Sequence, residues 1–365
     1  MLSAASCPFR WACTAALSFF LAVFASSGWA QDNVLQSPAS SGASTGVQPA
    51  QAPAQSQGNP AQATSSPESQ PQAQQPTQGD QNSGDSGMFV FKKQVEEVVL
   101  HATVFDEQRR LVTGLEKSAF TVFENGNSEL ITSFRREDVP VAIGIVVDNS
   151  GSMRDKRDEV GKAVLNLIRA SNSQDQVFVV NFGRNSYLDQ DFTSDVNLLQ
   201  AALHQVSAKG STALYDAVVA SSFHLERGSP LDKKVLLVIT DGEDNMSQET
   251  LQEAARRLQQ PNGPTVYAIG LLGSGMQKSG REALQQLAAE TGGVAYFPDS
   301  IDQVDSITRT IAHDIRSQYR IAYKPHNQNE KPEYQGLRVE ASFPGYGKLT
   351  VRTKSGYYYS GNSAR

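Results

Sequence analysis

Five short, unbroken apolar runs, separated by segments of helical periodicity, occupy the sequence from Val141 onward and constrain the fold more than any other feature. The runs are VAIGIVV (141–147), VFVVNF (177–182), VLLVIT (235–240), VYAIGL (266–271) and VAYF (294–297). A strand that is apolar at every position, rather than at alternate ones, is buried on both faces, as in a parallel sheet covered by helices on each side. VGKAVLNLIRA, DVNLLQAALHQV, ALYDAVVASSFHL, QETLQEAARRL and REALQQLAAE supply those helices, and a last one places Ile301, Val304, Ile307, Ile311 and Ile315 on a single stripe. The expected fold class is α/β, with a doubly wound, mostly parallel sheet.

The flanks have a different texture. Residues 88–138 read as strands, VEEVVLHATVFD, AFTVF and ELITSF, with Asn125-Gly126 as a hairpin signal between the last two. Strand texture returns near Ser317 with QYRIAYKP, LRVEASF and KLTVRTKSGYYY. Each flank alone is too small to bury much apolar surface. The simplest arrangement is one small β-sandwich-like domain made from 88–138 and 317–365, with the α/β domain, 139–316, inserted in it or flanked by it.

Residues 1–30 carry Arg10, an apolar segment from Trp11 to Ala25, and small residues at Gly28 and Ala30, the pattern of a signal peptide cleaved after Ala30. Residues 31–87 are rich in Gln, Pro, Ser, Ala and Gly and hold almost nothing apolar larger than alanine, so a disordered linker is expected there. Both cysteines, Cys7 and Cys13, fall in the signal segment, which leaves an exported chain free of disulfides, secreted or periplasmic, with no membrane span after cleavage. The formal charge is -6, one unit more negative once Arg10 is removed, and this mild acidity argues against a nucleic-acid partner.

An open parallel sheet presents its ligand site at the carboxyl ends of its strands. The first apolar run ends in DNSGSM, which places Asp148, Ser150 and Ser152 at alternate positions. KGSTALYD brings Thr212 behind Gly210 at a helix start, and VITDGEDN brings Asp241 at the end of another strand. Five oxygen side chains from three loops make a hard environment suited to Mg²⁺ or Mn²⁺, and less strictly to Ca²⁺. Each residue also has a plainer use: Asp148, Ser150 and Thr212 as helix caps, and the TDG segment as a turn.

DNSGSM, GSTAL and TDGED resemble, in order and context, the three segments of the metal-ion-dependent adhesion site of von Willebrand factor type A domains, a likeness covering about residues 139–315. The flanking segments TVFDEQRRLVTGLEKSAFTVFENGN, QYRIAYKP and KSGYY are similar to those of exported acidobacterial proteins related to that family. The resemblance implies that Ser150, Ser152 and Thr212 ligate the metal through hydroxyls, with Asp148 and Asp241 acting through bound water or directly. It implies a binding module rather than an enzyme, in which the cation meets a carboxylate of a protein or glycan partner.

Three other chemistries fit poorly. A calcium loop starting at Asp148 would need Gly where Met153 stands. A Walker loop in GSGMQKSG would need Gly before Lys278, where the chain has Gln277. A serine nucleophile would need a GxSxG frame with a histidine in reach, and His101, His204, His224, His313 and His326 belong to strand, helix or tail contexts away from the three loops. No paired acid and base for catalysis is evident. A metal-assisted hydrolase, or a scaffold in which the cation is purely structural, are the alternative readings.

Overall fold

The computed structural model describes residues 97–136, 138–204, 210–271, 278–325 and 334–358. The expected signal segment, the linker, both cysteines and His326 lie outside them. In chain order the strands are β1 (Val98–Phe105), β2 (Phe120–Glu124), β3 (Asn127–Glu129), β4 (Ile131–Arg135), β5 (Val141–Asp148), β6 (Gln176–Phe182) and β7 (Ser186–Thr193). They continue with β8 (Lys233–Thr240), β9 (Thr265–Gly270), β10 (Ala295–Tyr296), β11 (Tyr319–Tyr323), β12 (Tyr334–Ala341), β13 (Thr350–Arg352) and β14 (Gly356–Tyr358). The α-helices are α1 (Arg157–Arg169), α2 (Val196–His204), α3 (Leu214–Gly228), α4 (Leu251–Leu258), α5 (Lys278–Thr291) and α6 (Val304–Arg316).

The central sheet runs β10-β9-β8-β5-β6-β7. All its pairs are parallel except β6 with β7. Every residue of β5 is buried, and alternate side chains go to opposite faces. Ile143, Ile145 and Val147 meet α1, α2 and α6 on one side, while Ala142 and Val146 meet α3, α4 and α5 on the other. The doubly wound α/β reading therefore describes this part of the molecule. Of the closing-helix stripe, Val304, Ile311 and Ile315 are buried, whereas Ile301 and Ile307 pack against the core half-covered. Ile301 itself belongs to a short 3₁₀ turn ahead of α6.

The flanks interleave. One four-stranded sheet has the order β13-β1-β11-β4 and the other β14-β12-β2-β3, so each mixes strands from before and after the α/β part. Leu100, Ala102, Val104, Ile321 and Tyr323 of the first sheet share one core with Val122, Val339 and Tyr357 of the second, a small sandwich. The hairpin signal forms the β2-β3 turn, with Asn125 at φ 49° and Gly126 at φ 84°. Two expected strands are split. ELITSF gives Glu129 to β3 and Ile131 to β4, and the last stretch divides between β13 and β14, so in both cases the chain passes from one sheet to the other.

The sandwich docks at the amino ends of the parallel strands. Asp314 on α6 is 4% exposed and accepts hydrogen bonds from Thr103 of β1 (3.0 Å) and Tyr267 of β9 (2.8 Å), and it pairs with Arg352 of β13. Nearby, Lys354 donates to the carbonyl of Pro261 at 2.8 Å, the Ser355 amide to Glu290 at 3.0 Å, and the Tyr358 amide to Gln259 at 2.9 Å. An eight-residue strand such as β8 spans roughly 25 Å, so this interface leaves the opposite, carboxyl edge of the sheet clear.

Two expectations concern stability. A Cβ on Gly144 would lie 2.4 Å from Phe178 Cζ and 2.6 Å from Leu236 Cδ2, whereas one on Gly126 meets nothing within 4 Å and is opposed by its positive φ alone. Urea titration should show Gly144→Ala losing about 2–3 kcal/mol by overpacking, and Gly126→Ala losing roughly 1 kcal/mol. Asp314→Ala removes the counter-charge of Arg352 and the acceptor for Thr103 and Tyr267, leaving Arg352 its bond to the Gly292 carbonyl and Tyr267 its bond from Gln318, and should cost about 3 kcal/mol in the same assay.

Candidate metal centre

The parallel register puts the ends of β5 and β8 side by side, Val147 opposite Ile239, so Asp148 and Asp241 leave neighbouring strands at one edge. Asp148 is fully buried and Asp241 is 7% exposed. The Asp148 carboxylate accepts the Ser150 amide at 2.7 Å and the Thr240 hydroxyl at 2.6 Å. After Asp148 the chain turns through an extended Ser150 into a 3₁₀ segment, Gly151–Lys156, anchored beneath by the fully buried Met153. That side chain, which stood against a calcium loop, is part of the hydrophobic core.

Two hydroxyls lead in series from this turn to Asp241. Ser150 Oγ lies 3.0 Å from Ser152 Oγ, and Ser152 Oγ donates to Asp241 Oδ1 at 2.8 Å. Lys156 Nζ donates to the other oxygen, Asp241 Oδ2, at 2.5 Å. Thr212 arrives from the third loop, where Gly210 has φ 91°. Its amide donates to Asn245 Oδ1 and its carbonyl accepts the Asn245 amide, both at 3.0 Å, which locks the loop before α3 against the loop after β8. A Cβ on Gly242 would lie 3.3 Å from Thr212 Oγ1 and 3.8 Å from Asp148 Oδ2, so glycine there keeps open the space these oxygens face.

The structure thus gathers Asp148, Ser150, Ser152, Thr212 and Asp241 at one edge. The cap alternatives do not describe these side chains: the 3₁₀ segment has no side-chain cap from Ser150, and the cap positions of α1 and α3 are held by Lys156 and Ala213, neither of which caps through its side chain. The neighbouring acids have other duties. Asp216 accepts the Gln248 and Glu249 amides, Asp244 accepts the Tyr215 amide, and Glu243 accepts the Gly280 amide at the start of α5. They brace the loop after β8 against α3 and α5.

Three contributors escaped the sequence reading. Thr240 was visible as the last strand residue before Asp241, but its hydroxyl role depends on facing Asp148. Lys156 reaches Asp241 because Gly151–Lys156 is 3₁₀ rather than α, and no periodicity announces that. Arg157 donates to the Asp148 carbonyl (3.3 Å), to Asn149 Oδ1 (3.2 Å), to Asn181 Oδ1 (3.0 Å) and to the Leu203 carbonyl (3.2 Å), tying the start of α1 to β5, β6 and α2.

The electrostatics follow from burial. Desolvation pushes the Asp148 carboxyl above its ordinary value, hydrogen bonds from Thr240 and Ser150 oppose the shift, and the neighbouring charge of Asp241 adds to it. Among the described residues, no three His, Cys, Asp or Glu side chains converge to hold a metal by themselves. The donor set here is two carboxylates and three hydroxyls, all oxygen, around a space that glycine keeps open. It fits a hard divalent cation and does not fit a soft one.

The family model for the von Willebrand factor type A domain matches residues 142–310. No curated protein matches the chain. Among solved structures, proximal thread matrix protein 1 from the mussel byssus, with a zinc-occupied MIDAS motif, is 18% identical at TM-score 0.44, covering 53% of this chain and 50% of its own. The PilB minor pilin from Streptococcus sanguinis is 15% identical at TM-score 0.42, covering 49% and 62%. A von Willebrand factor type A protein from Catenulispora acidiphila is 15% identical at TM-score 0.42, covering 73% and 75%. The present chain therefore spans about half the length of the mussel protein and about six tenths of the pilin. The parallel-sheet part of the chain, residues 142–310, is a von Willebrand factor type A domain.

Proposed function

We propose that this chain is an exported, divalent-cation-dependent binding protein, whose α/β domain presents Mg²⁺ or Mn²⁺ to an acidic group of a protein or glycan partner. The observation that carries this reading is the hydrogen-bonded chain from the Asp148 carboxylate through the Ser150 amide, and from the Ser150 hydroxyl through Ser152 to Asp241, with Thr212 alongside, at the sheet edge opposite the docked sandwich. When bound, the cation would supply uncompensated positive charge able to attract an outside carboxylate. Ser150, Ser152 and Thr212 would hold it through neutral hydroxyls, which leave that charge in place, whereas a cage of carboxylates would cancel it. Thr240 and the Ser150 amide fix the Asp148 carboxylate, and Asn245 fixes Thr212, so the ligand geometry is set by the fold.

The domain boundaries form part of the same proposal: a signal peptide at 1–30, a linker at 31–87, and a sandwich from 88–138 and 317–365 around the domain at 139–316. Export rests on the signal-like residues at the amino terminus. Among the described residues no helix is long and apolar enough to cross a membrane.

Because the ligands sit on preformed loops, metal should stabilise the folded chain by mass action, about 2.7 kcal/mol at a hundredfold excess over Kd. Scanning calorimetry should record a rise of several degrees in Tm with Mg²⁺ or Mn²⁺. The rise should be lost in Asp148→Ala and in Asp241→Ala while both keep the unmutated far-UV spectrum. A full rise in either variant would contradict the ligand assignment. Affinity capture of partners by the full chain in Mg²⁺ should lose its specific bands in EDTA, and identical bands in both would contradict cation-dependent binding.

A further inference from the structure

Lys156 stands in an unusual place for a cation. Its Nζ is 2.5 Å from Asp241 Oδ2, with the Asp241 side chain 2% exposed and the Lys156 side chain 28% exposed. The other oxygen of Asp241 is taken by Ser152, so both carboxylate oxygens are engaged. Asp148, the second buried acid, has neutral donors on its carboxylate, the Ser150 amide and the Thr240 hydroxyl. Arg157 is close, but it donates to the Asp148 backbone carbonyl and to Asn149 and Asn181. Among the described residues, Lys156 is therefore the cation paired with the acids of this site.

We propose that the Lys156 ammonium and a divalent cation compete for Asp241, so that Lys156 sets the affinity of the site and leaves Asp241 when the site loads. This rests on the reading of the site as a cation site. An ammonium held against Asp241 and a divalent ion beside the same carboxylate repel each other, and one carboxylate does not offset both charges in a dry pocket. Lysine suits the role. Its point charge sits on a flexible four-carbon stem, already partly exposed, that can swing to water without disturbing the backbone. In the metal-free protein the same contact keeps the buried Asp241 charge compensated, where an unpaired one would weaken the fold. The device makes the site weaker than its oxygen set alone would be, and so responsive to metal concentration.

The test is Mn²⁺ titration calorimetry on the full chain and on Lys156→Met, Lys156→Gln and Lys156→Arg, with Tm recorded in EDTA and in saturating Mn²⁺. Removing the charge should tighten Mn²⁺ binding on the order of tenfold, the scale of a partly exposed ion pair. Lys156→Gln should move in the same direction as Lys156→Met, and Lys156→Arg, which keeps the charge, should stay close to the unmutated chain. In EDTA the two neutral variants should melt below the unmutated protein, and their rise on adding Mn²⁺ should be larger. Equal Mn²⁺ affinity in the unmutated chain and both neutral variants overturns the competition alone. Weaker affinity in both overturns it too and makes Lys156 a positioning residue for Asp241. If no chain binds Mn²⁺ at millimolar metal, the reading of the site fails and the competition falls with it.

Discussion

Two buried carboxylates, Asp148 and Asp241, are brought side by side because β5 and β8 run parallel in a register that ends both strands at one edge. Like charges in a desolvated place are costly unless hydrogen bonds and a cation offset them. Much of the local architecture answers that requirement. Thr240 and the Ser150 amide turn to Asp148, Ser152 and Lys156 turn to Asp241, and the 3₁₀ course of Gly151–Lys156 lets one short segment deliver both the Ser152 hydroxyl and the Lys156 ammonium. Met153 holds that segment down from inside the core. The oxygens therefore sit on loops tied directly to the ends of β5 and β8 by these hydrogen bonds.

The sandwich serves the same end by where it attaches. Asp314, at the far end of α6, gathers Thr103, Tyr267 and Arg352 from three separate elements, and the backbone near Ser355 and Tyr358 ties onto Glu290 and Gln259. These contacts lie at the amino edge of the parallel sheet. Interleaving strands from both flanks makes a core that neither flank could form alone, and it brings the two ends of the domain together. The oxygens of the site gather at the opposite, carboxyl edge.

The α/β architecture was legible because β5, β6, β8 and β9 are buried on both faces, which hydrophobic runs report directly. Asn125-Gly126 was legible because few residues accept two successive positive φ angles. β7 was not: SYLDQDFT is an antiparallel edge strand with no fully buried residue, so its sequence carries no apolar alternation. The splitting of ELITSF at Leu130, which is 75% exposed, was hidden because residues on both sides of a sheet crossover keep strand character. The candidate ligands were legible as spaced motifs. Lys156 was not, because its meeting with Asp241, 85 residues away, exists only in the folded chain.

The central claim is that these five side chains form a cation site, and locating the ion tests it most directly. Crystals of the full chain grown in Mn²⁺ and measured at the manganese absorption edge should show one anomalous peak at the ends of β5 and β8, about 2.1 Å from hydroxyls of Ser150, Ser152 or Thr212. A peak elsewhere with this edge empty, at saturating Mn²⁺, would contradict the account.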